Sequence, residues 1–155
     1  MNLRVVSNTS PLIFLSKLAA LDLLNCFTEL SIPRAVQNEC KELVLPKSIE
    51  VIDLSPKDKQ IALLQLGKLH QGELEAIQLA ILINANYVLM DDARARDFAA
   101  TRGVNSLGTI GILLLANKRK RLTKELGLNY LDDLKNKHGI YISESLFIKV
   151  KNTFI

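Results

Sequence analysis

Tryptophan is absent from the 155 residues and aromatic side chains make up only 5% of them, so the core falls to Leu, Ile, Val and Ala, a composition that suits an α/β or an α protein. Cysteine is scarce. Cys26 and Cys40 sit inside helical or apolar patterns at a spacing that matches no zinc or redox motif, and they read as reduced, buried and intracellular. Histidine is as rare: His70 and His138 lie in turn-like contexts with no partner motif, which makes surface residues of them and not ligands. Long apolar runs are missing too. The best candidate, PLIFLSKLAALDLL, is broken by Lys17 and Asp22, which argues against a signal peptide or membrane span and predicts a cytoplasmic protein without a membrane partner. No Gly-x-Gly-x-x-Gly follows any strand pattern, which argues against dinucleotide binding. Repeats and low-complexity tracts are lacking as well.

What is present is a globular balance, 48% hydrophobic and 23% charged, in a length typical of one domain able to bury its own core. The expectation is a single domain over 1–155, with a core from about 3 to 120 and a helical extension from about 121 to 155. A net charge of +4 fits a nucleic-acid partner without demanding one.

Strand and helix signals alternate along the chain. The β-branched run Leu3 to Ser7 ends at Asn8-Thr9-Ser10-Pro11, read as a helix start with Ser10 as N-cap and Pro11 in the first helical position. Leu12, Leu15, Leu18 and Leu21 follow at helical spacing. Glu29 to Ile32 reads as a second strand, Pro33 to Leu43 as a helix, and Glu50 to Leu54 as a third strand or an extended linker. Ser55-Pro56 caps a helix over Lys57 to Leu66. After the His70-Gln71-Gly72 turn, a helix opening on Glu73 leads through Asn84-Ala85-Asn86 to a strand, Tyr87 to Met90, that closes on Asp91 and Asp92. A helix from Ala93 to Arg102 stops at Gly103, Val104 to Leu107 makes a strand, and Gly108-Thr109 begins the helix Ile110 to Asn117. Two more helical patterns, Thr123 to Lys137 and Ser143 to Phe154, flank Gly139. Such alternation is the signature of a parallel sheet covered on both faces, an α/β/α three-layer sandwich, in which ligands sit outside the carboxyl ends of the strands.

Acids and one amide converge on that edge. Glu39 shares the helical stripe of Ala35, Val36 and Leu43. Glu73 shares that of Ala76, Ile77 and Ala80, whereas Glu75 aligns with Gln78 and is expected to point outward. Taken singly, each has an ordinary explanation: Glu73 favours its helix dipole, one of Asp91 and Asp92 can cap the next helix, and Asn8 can hold a turn. Capping by one aspartate still leaves the other unexplained. Oxygen donors without His or Cys select a hard cation such as Mg²⁺ or Mn²⁺, the usual partner of phosphodiester chemistry.

The ordered set S-N-T-S-P-L, I-P-x-x-V-x-x-E, G-E-x-E-A-I-x-L-A, V-L-M-D-D and L-G-T-I-G-I-L-L resembles the PIN-domain nucleases, and within them the short prokaryotic proteins related to the VapC toxins. The resemblance covers roughly Val5 to Lys120. It implies a Mg²⁺- or Mn²⁺-dependent endoribonuclease whose metal-binding positions fall on Asn8, Glu39, Glu73 and Asp91, with Asp92 adjacent. The catalytic carboxylates would be Glu39, Glu73 and Asp91. The partners it implies are RNA, a cognate antitoxin protein and a second copy of the chain in a homodimer. Asn8 departs from the family's preference for Asp; an amide oxygen can coordinate a metal but brings no charge, so binding should be weaker. The alternative is a catalytically weakened PIN-like domain that binds RNA or a protein without cutting.

Lesser candidates surround this set. Ser10 and Thr109 start helices beside it and can touch a phosphate or water, although plain N-capping is the favoured reading. Arg94 and Arg96 can meet RNA phosphate or simply form a solvated face. The run Lys118-Arg119-Lys120-Arg121 is split evenly between a phosphate-binding patch and charge placed against a helix C-terminus. Apolar residues of the last helix, Leu146, Phe147, Val150 and Phe154, either pack on the domain or form an interface. A phospho-acceptor receiver domain would need its acidic pair after the first strand, where Asn8 stands.

Overall fold

The computed structural model describes residues 2–64 and 67–155. Five strands, β1 (Arg4–Ser7), β2 (Glu29–Pro33), β3 (Glu50–Ile52), β4 (Tyr87–Leu89) and β5 (Ser106–Leu107), form one sheet in the order β3-β2-β1-β4-β5. Every pairing is parallel. The central strand β1 is buried on both faces after Arg4, which is why it is a continuous β-branched run and not an alternating one.

Successive residues feed opposite layers, as the two-residue period of a strand requires. Val5 and Leu89 join a cluster that includes Leu12, Leu15, Ile112 and Leu113. Val6 and Val88 join another built on Leu74, Ile77, Ala95 and Ala99. The first cluster is covered by α1 (Thr9–Lys17), α6 (Thr109–Lys118), α7 (Lys124–Asn136) and α8 (Glu144–Thr153); the second by α3 (Pro56–Leu63), α4 (Gln71–Leu82) and α5 (Ala93–Thr101). The result is the α/β/α sandwich. A short α2 (Arg34–Glu39) leads from β2 toward α4, and a 3-10 segment, Leu21–Cys26, bridges α1 and β2.

Several boundaries differ from the sequence reading. The helix expected to run from Pro33 to Leu43 ends at Glu39: the Cys40 N–H is shared between the carbonyls of Val36 and Gln37, and Lys41 and Glu42 beyond it are exposed, so no packing sustains another turn. The last strand shrinks to Ser106–Leu107 because the Val104 N–H is spent on Ala99 O in the turn after α5. Glu50–Ile52 is a true edge strand. The helix read over Lys57 to Leu66 is seen as Pro56–Leu63, and its expected last two residues lie outside the described ones.

Glu75 corrects a further expectation. Far from facing solvent, it is 1% exposed, since α3 packs over the side of α4 that looks polar. Gln71 Nε2 donates to Glu75 Oε2 at 2.6 Å and Gln78 Nε2 reaches Asp58 Oδ1 on α3 at 3.3 Å. A helix buried all round carries its polar groups in pairs.

The final helices share the core. Leu131, Leu134, Phe147, Val150 and Phe154 are all buried in the first cluster, so most of the apolar stripe of α8 packs on the domain. Cys26 and Cys40 are free and buried. No helix among the described residues is long and apolar enough to cross a membrane.

Candidate active site

The strand order reverses between β1 and β4, with β2 and β3 on one side and β5 on the other. The crevice beyond their carboxyl ends is where such sheets bind ligands. Ser7 pairs with Leu89, and the next N–H, that of Asn8, donates to Leu89 O at 2.9 Å. Asn8 therefore leaves β1 beside the point where Asp91 leaves β4. A cleft of about 1130 Å³ opens there, and Asn8, Glu39, Glu73, Asp91 and Asp92 all line it.

Asn8 is the N-cap of α1 and Ser10 is not: the Asn8 side-chain oxygen accepts the Ser10 N–H at 3.1 Å. Thr9, Ser10 and Pro11 occupy the first turn. Freed from capping, the Ser10 hydroxyl donates to Asp91 Oδ2 at 3.3 Å. Thr109 is likewise not a cap. Gly108 holds that position in α6, and Asp91 supplies the missing side-chain acceptor from β4, taking the Thr109 N–H on Oδ1 at 2.7 Å and the Thr109 hydroxyl on Oδ2 at 2.8 Å. Asp92 caps α5 through Oδ1, which accepts the Arg94 N–H at 2.7 Å and the Ala95 N–H at 3.4 Å. Each aspartate thus caps a helix of its own, and each gains from the positive end of that helix's dipole.

The glutamates are different. Glu39, the last residue of α2, is exposed and not core-facing, because the helix stops before its apolar stripe turns under it. Thr9 Oγ1 donates to Glu39 Oε2 at 2.8 Å. The other oxygen, Oε1, lies where a side chain on Gly72 would be, so the absence of a Cβ at Gly72 lets Glu39 approach the start of α4.

Glu73, in the first turn of α4, is 9% exposed, and its Oε2 is buried without a hydrogen-bond partner. Burial above all raises its pKa, and the charge of Asp92 adds to that, with a smaller push from Glu39. His70, the N-cap of α4, opposes the shift through its charge and its backbone N–H. His70 is exposed, as expected, but it lines the cleft.

Whether these residues suit a metal turns on that orphan oxygen. A carboxylate pressed among other acids with an unpartnered buried oxygen is unfavourable alone and favourable beside a cation. Apart from the His70 imidazole, the surrounding donors are oxygens, the set a hard divalent ion takes. Among the described residues, no group of three or more His, Cys, Asp or Glu is drawn together into a cation cluster; Asp91 and Asp92 are held by their caps. The donor chemistry fits a divalent ion without a tight cage.

Of the weaker candidates, Arg96 lines the cleft and is steadied by a 3.1 Å bond from Nε to Ser106 Oγ, whereas Arg94 is exposed and not among its lining residues. The basic run Lys118 to Arg121 lies at the far end of α6 from Asp91, roughly 15 Å away along the ten-residue helix. Arg119 there donates to the Cys26 carbonyl. That run belongs to another face. In the sequence Thr9, Gly72 and Gly108 stand only as turn and helix-start residues. The signal available for the glycines was their position just before Glu73 and just before Thr109, where an incoming carboxylate needs room: a Cβ on Gly108 would stand 3.0 Å from Asp91 Oδ1.

The sequence model of the family DUF3368, a PIN domain, matches residues 4–154. No curated protein matches the chain.

Proposed function

The chain belongs to the PIN-domain family, a nuclease-type fold, and from that premise we propose that it is a Mg²⁺- or Mn²⁺-dependent endoribonuclease, the toxin of a toxin and antitoxin pair. The observation that carries the metal is Glu73: a buried, partnerless carboxylate oxygen in a cleft that also holds Glu39, Asp91 and Asp92. A phosphodiester is an anion, and a cleft lined by carboxylates repels it unless a cation stands between them.

Glu39, Glu73 and Asp91 would hold the ion, with Asn8 offering an amide oxygen and Asp92 adding charge from its cap. A bound divalent ion supplies positive charge to the phosphate oxygens and acidifies a coordinated water. The protein's own part is to fix the acids before substrate arrives. Thr109 and Ser10 orient Asp91, Thr9 orients Glu39, and the start of α4 orients Glu73. Glu73, whose buried Oε2 has no hydrogen-bond partner, would be the carboxylate to accept a proton from attacking water. Arg96, which lines the same cleft, would meet a substrate phosphate.

The test is purified protein with defined RNAs in Mg²⁺ or Mn²⁺ against EDTA, beside the Glu73→Gln, Asp91→Asn double variant. Metal-dependent cleavage that the double variant loses is the expected result. Cleavage that survives both changes sinks the proposal. A second reading, a PIN-like domain that binds RNA or a protein without cutting, draws on one observation: the Asn8 oxygen brings no charge and already accepts the Ser10 N–H. It predicts binding without cleavage under every metal condition. The homodimer proposal draws on Leu146 and Ile148, which stay 48% and 52% exposed on α8. It fails if light scattering gives the monomer mass at working concentration, or if Leu146→Glu leaves a dimer intact.

A further inference from the structure

The cleft has a second wall, made by the segment between α7 and α8. Ile140, Tyr141 and Ile142 line it together with Leu146 of α8, in the same cleft as the acids. The segment is anchored at both ends. Gly139 takes a positive φ of 72° that turns the chain after α7, and the Ile140 N–H returns to Leu134 O at 2.9 Å. Ser143 caps α8, and Lys135 Nζ pairs with Glu144 Oε2 at 2.6 Å across the connection. Between these anchors the side chains alternate as in extended backbone: Ile140 half-buried, Tyr141 exposed, Ile142 buried in the core.

Tyr141 is 92% exposed. The other aromatic side chains, Phe14, Phe27, Tyr87, Phe98, Tyr130, Phe147 and Phe154, are all buried or half-buried. A chain this poor in aromatics thus leaves one ring fully in water, on a braced connection, at the rim of the cleft that holds its acids. Exposing a ring forgoes the burial that the others gain. An exposed ring beside a site for a phosphodiester has one strong use, which is stacking on an unpaired base.

Resting on the ribonuclease reading above, we infer that Tyr141 is a substrate-binding residue, on whose ring an unpaired base adjoining the cleavage site stacks. Arg96, on the same cleft, takes a phosphate of the same strand. Paired bases are stacked inside a helix and cannot reach the ring, so duplex RNA binds poorly. Because every base has a π-face, the contact adds affinity for loops and tails without specifying sequence.

Binding can be read apart from cleavage. The protein lacks Trp, so its intrinsic emission comes from three tyrosines, and stacking quenches that of Tyr141. An unstructured RNA octamer and its duplex are titrated into the full-length protein with Mg²⁺, following tyrosine emission and the anisotropy of an end-labelled octamer, with cleavage assayed in parallel. The expected results are a quench by the octamer and little by the duplex, and for Tyr141→Ala an affinity lower by roughly five- to a hundredfold. KM should rise in step while kcat holds. Tyr141→Phe should keep the affinity and lose most of the quench. Unchanged affinity and KM in Tyr141→Ala overturn the inference and leave the ribonuclease reading standing, as does equal affinity for the duplex. Absence of metal-dependent cleavage by the unaltered protein on any RNA overturns the reading itself, and the inference with it.

Discussion

Asp91 receives both the backbone N–H and the hydroxyl of Thr109, at 2.7 and 2.8 Å, so one carboxylate at the end of β4 serves as the cap of α6 and as a member of the acidic cleft. The two duties separate by substitution. Thr109→Val keeps the backbone donor and removes the hydroxyl. The loss of a buried hydrogen bond to a charged group should cost about 1.5 to 3 kcal/mol, read as a lower urea midpoint, and cleavage should fall because Asp91 is free to turn. Asp91→Asn can still accept the backbone N–H. Its stability should drop by only about 1 kcal/mol, while cleavage vanishes. Equal losses of stability in the two variants would contradict this division.

Glu73 gives the protein a pH dependence whose sign follows from its environment. Burial and the charge of Asp92 raise its pKa in the folded state. As pH climbs from the ordinary glutamate range through the raised folded value, the folded protein keeps a proton that the unfolded chain has released, and stability falls. Glu73→Gln has no such proton. Without metal, the variant should melt higher than the unaltered protein at neutral pH, and the difference should close below the ordinary glutamate range. Mg²⁺ should raise the melting temperature of the unaltered protein and leave the variant nearly unmoved. A variant that melts lower at neutral pH would show that the carboxylate is not strained as described.

The layers and the parallel sheet are legible because β-branched runs, helical stripes and turn residues agree along most of the chain; the strand order, with its reversal between β1 and β4, rests on long-range pairing that no local pattern carries. Side-chain direction was harder. The stripe of Glu75 on its own helix is polar, and it is α3, from elsewhere in the chain, that buries it. Glu39 would lie on a core-facing stripe only in a longer helix than the one that forms, which ends on it. Capping of the following helix accounts for only one of Asp91 and Asp92, whereas Asp91 caps α6, eighteen positions on. Tyr141 has no periodic signal at all; its meaning depends on the cleft that it lines.

Asn117 holds a place that no motif announces. It is 4% exposed, its Nδ2 donates to the carbonyls of Leu122 and Ile155 at 2.9 Å, and its Oδ1 accepts the Ile155 N–H at 2.9 Å. These bonds fasten the end of α8, with Phe154 beside it, to the end of α6. Asn117→Ala leaves three backbone groups to find other partners, which should cost about 2 to 3 kcal/mol. Hydrogen exchange should show the loss concentrated in α8, with β1 and β4 protected as before. Uniform loss across the sheet would contradict the local role.

Gly72 offers a way to move one acid and little else. A Cβ built there overlaps Glu39 Oε1, and the carboxylate is the far end of a flexible side chain, so the clash is relieved by rotating Glu39 and not by parting α2 from α4. Alanine also suits a helix better than glycine, by up to about 1 kcal/mol. Gly72→Ala should therefore fold with stability within about 1 kcal/mol of the original. Its Glu39 is pushed out of reach of Thr9 Oγ1 and away from the cleft, so Mg²⁺ should stabilise the variant less and cleavage should fall as steeply as in Glu39→Gln. The pair of measurements, melting temperature with and without Mg²⁺ and single-turnover cleavage, decides whether Glu39 acts on the metal or only braces α2. If Gly72→Ala cleaves normally, Glu39 is not part of the site. If it melts far below the original protein even without metal, the carboxylate had no room to swing and the contact is one of packing.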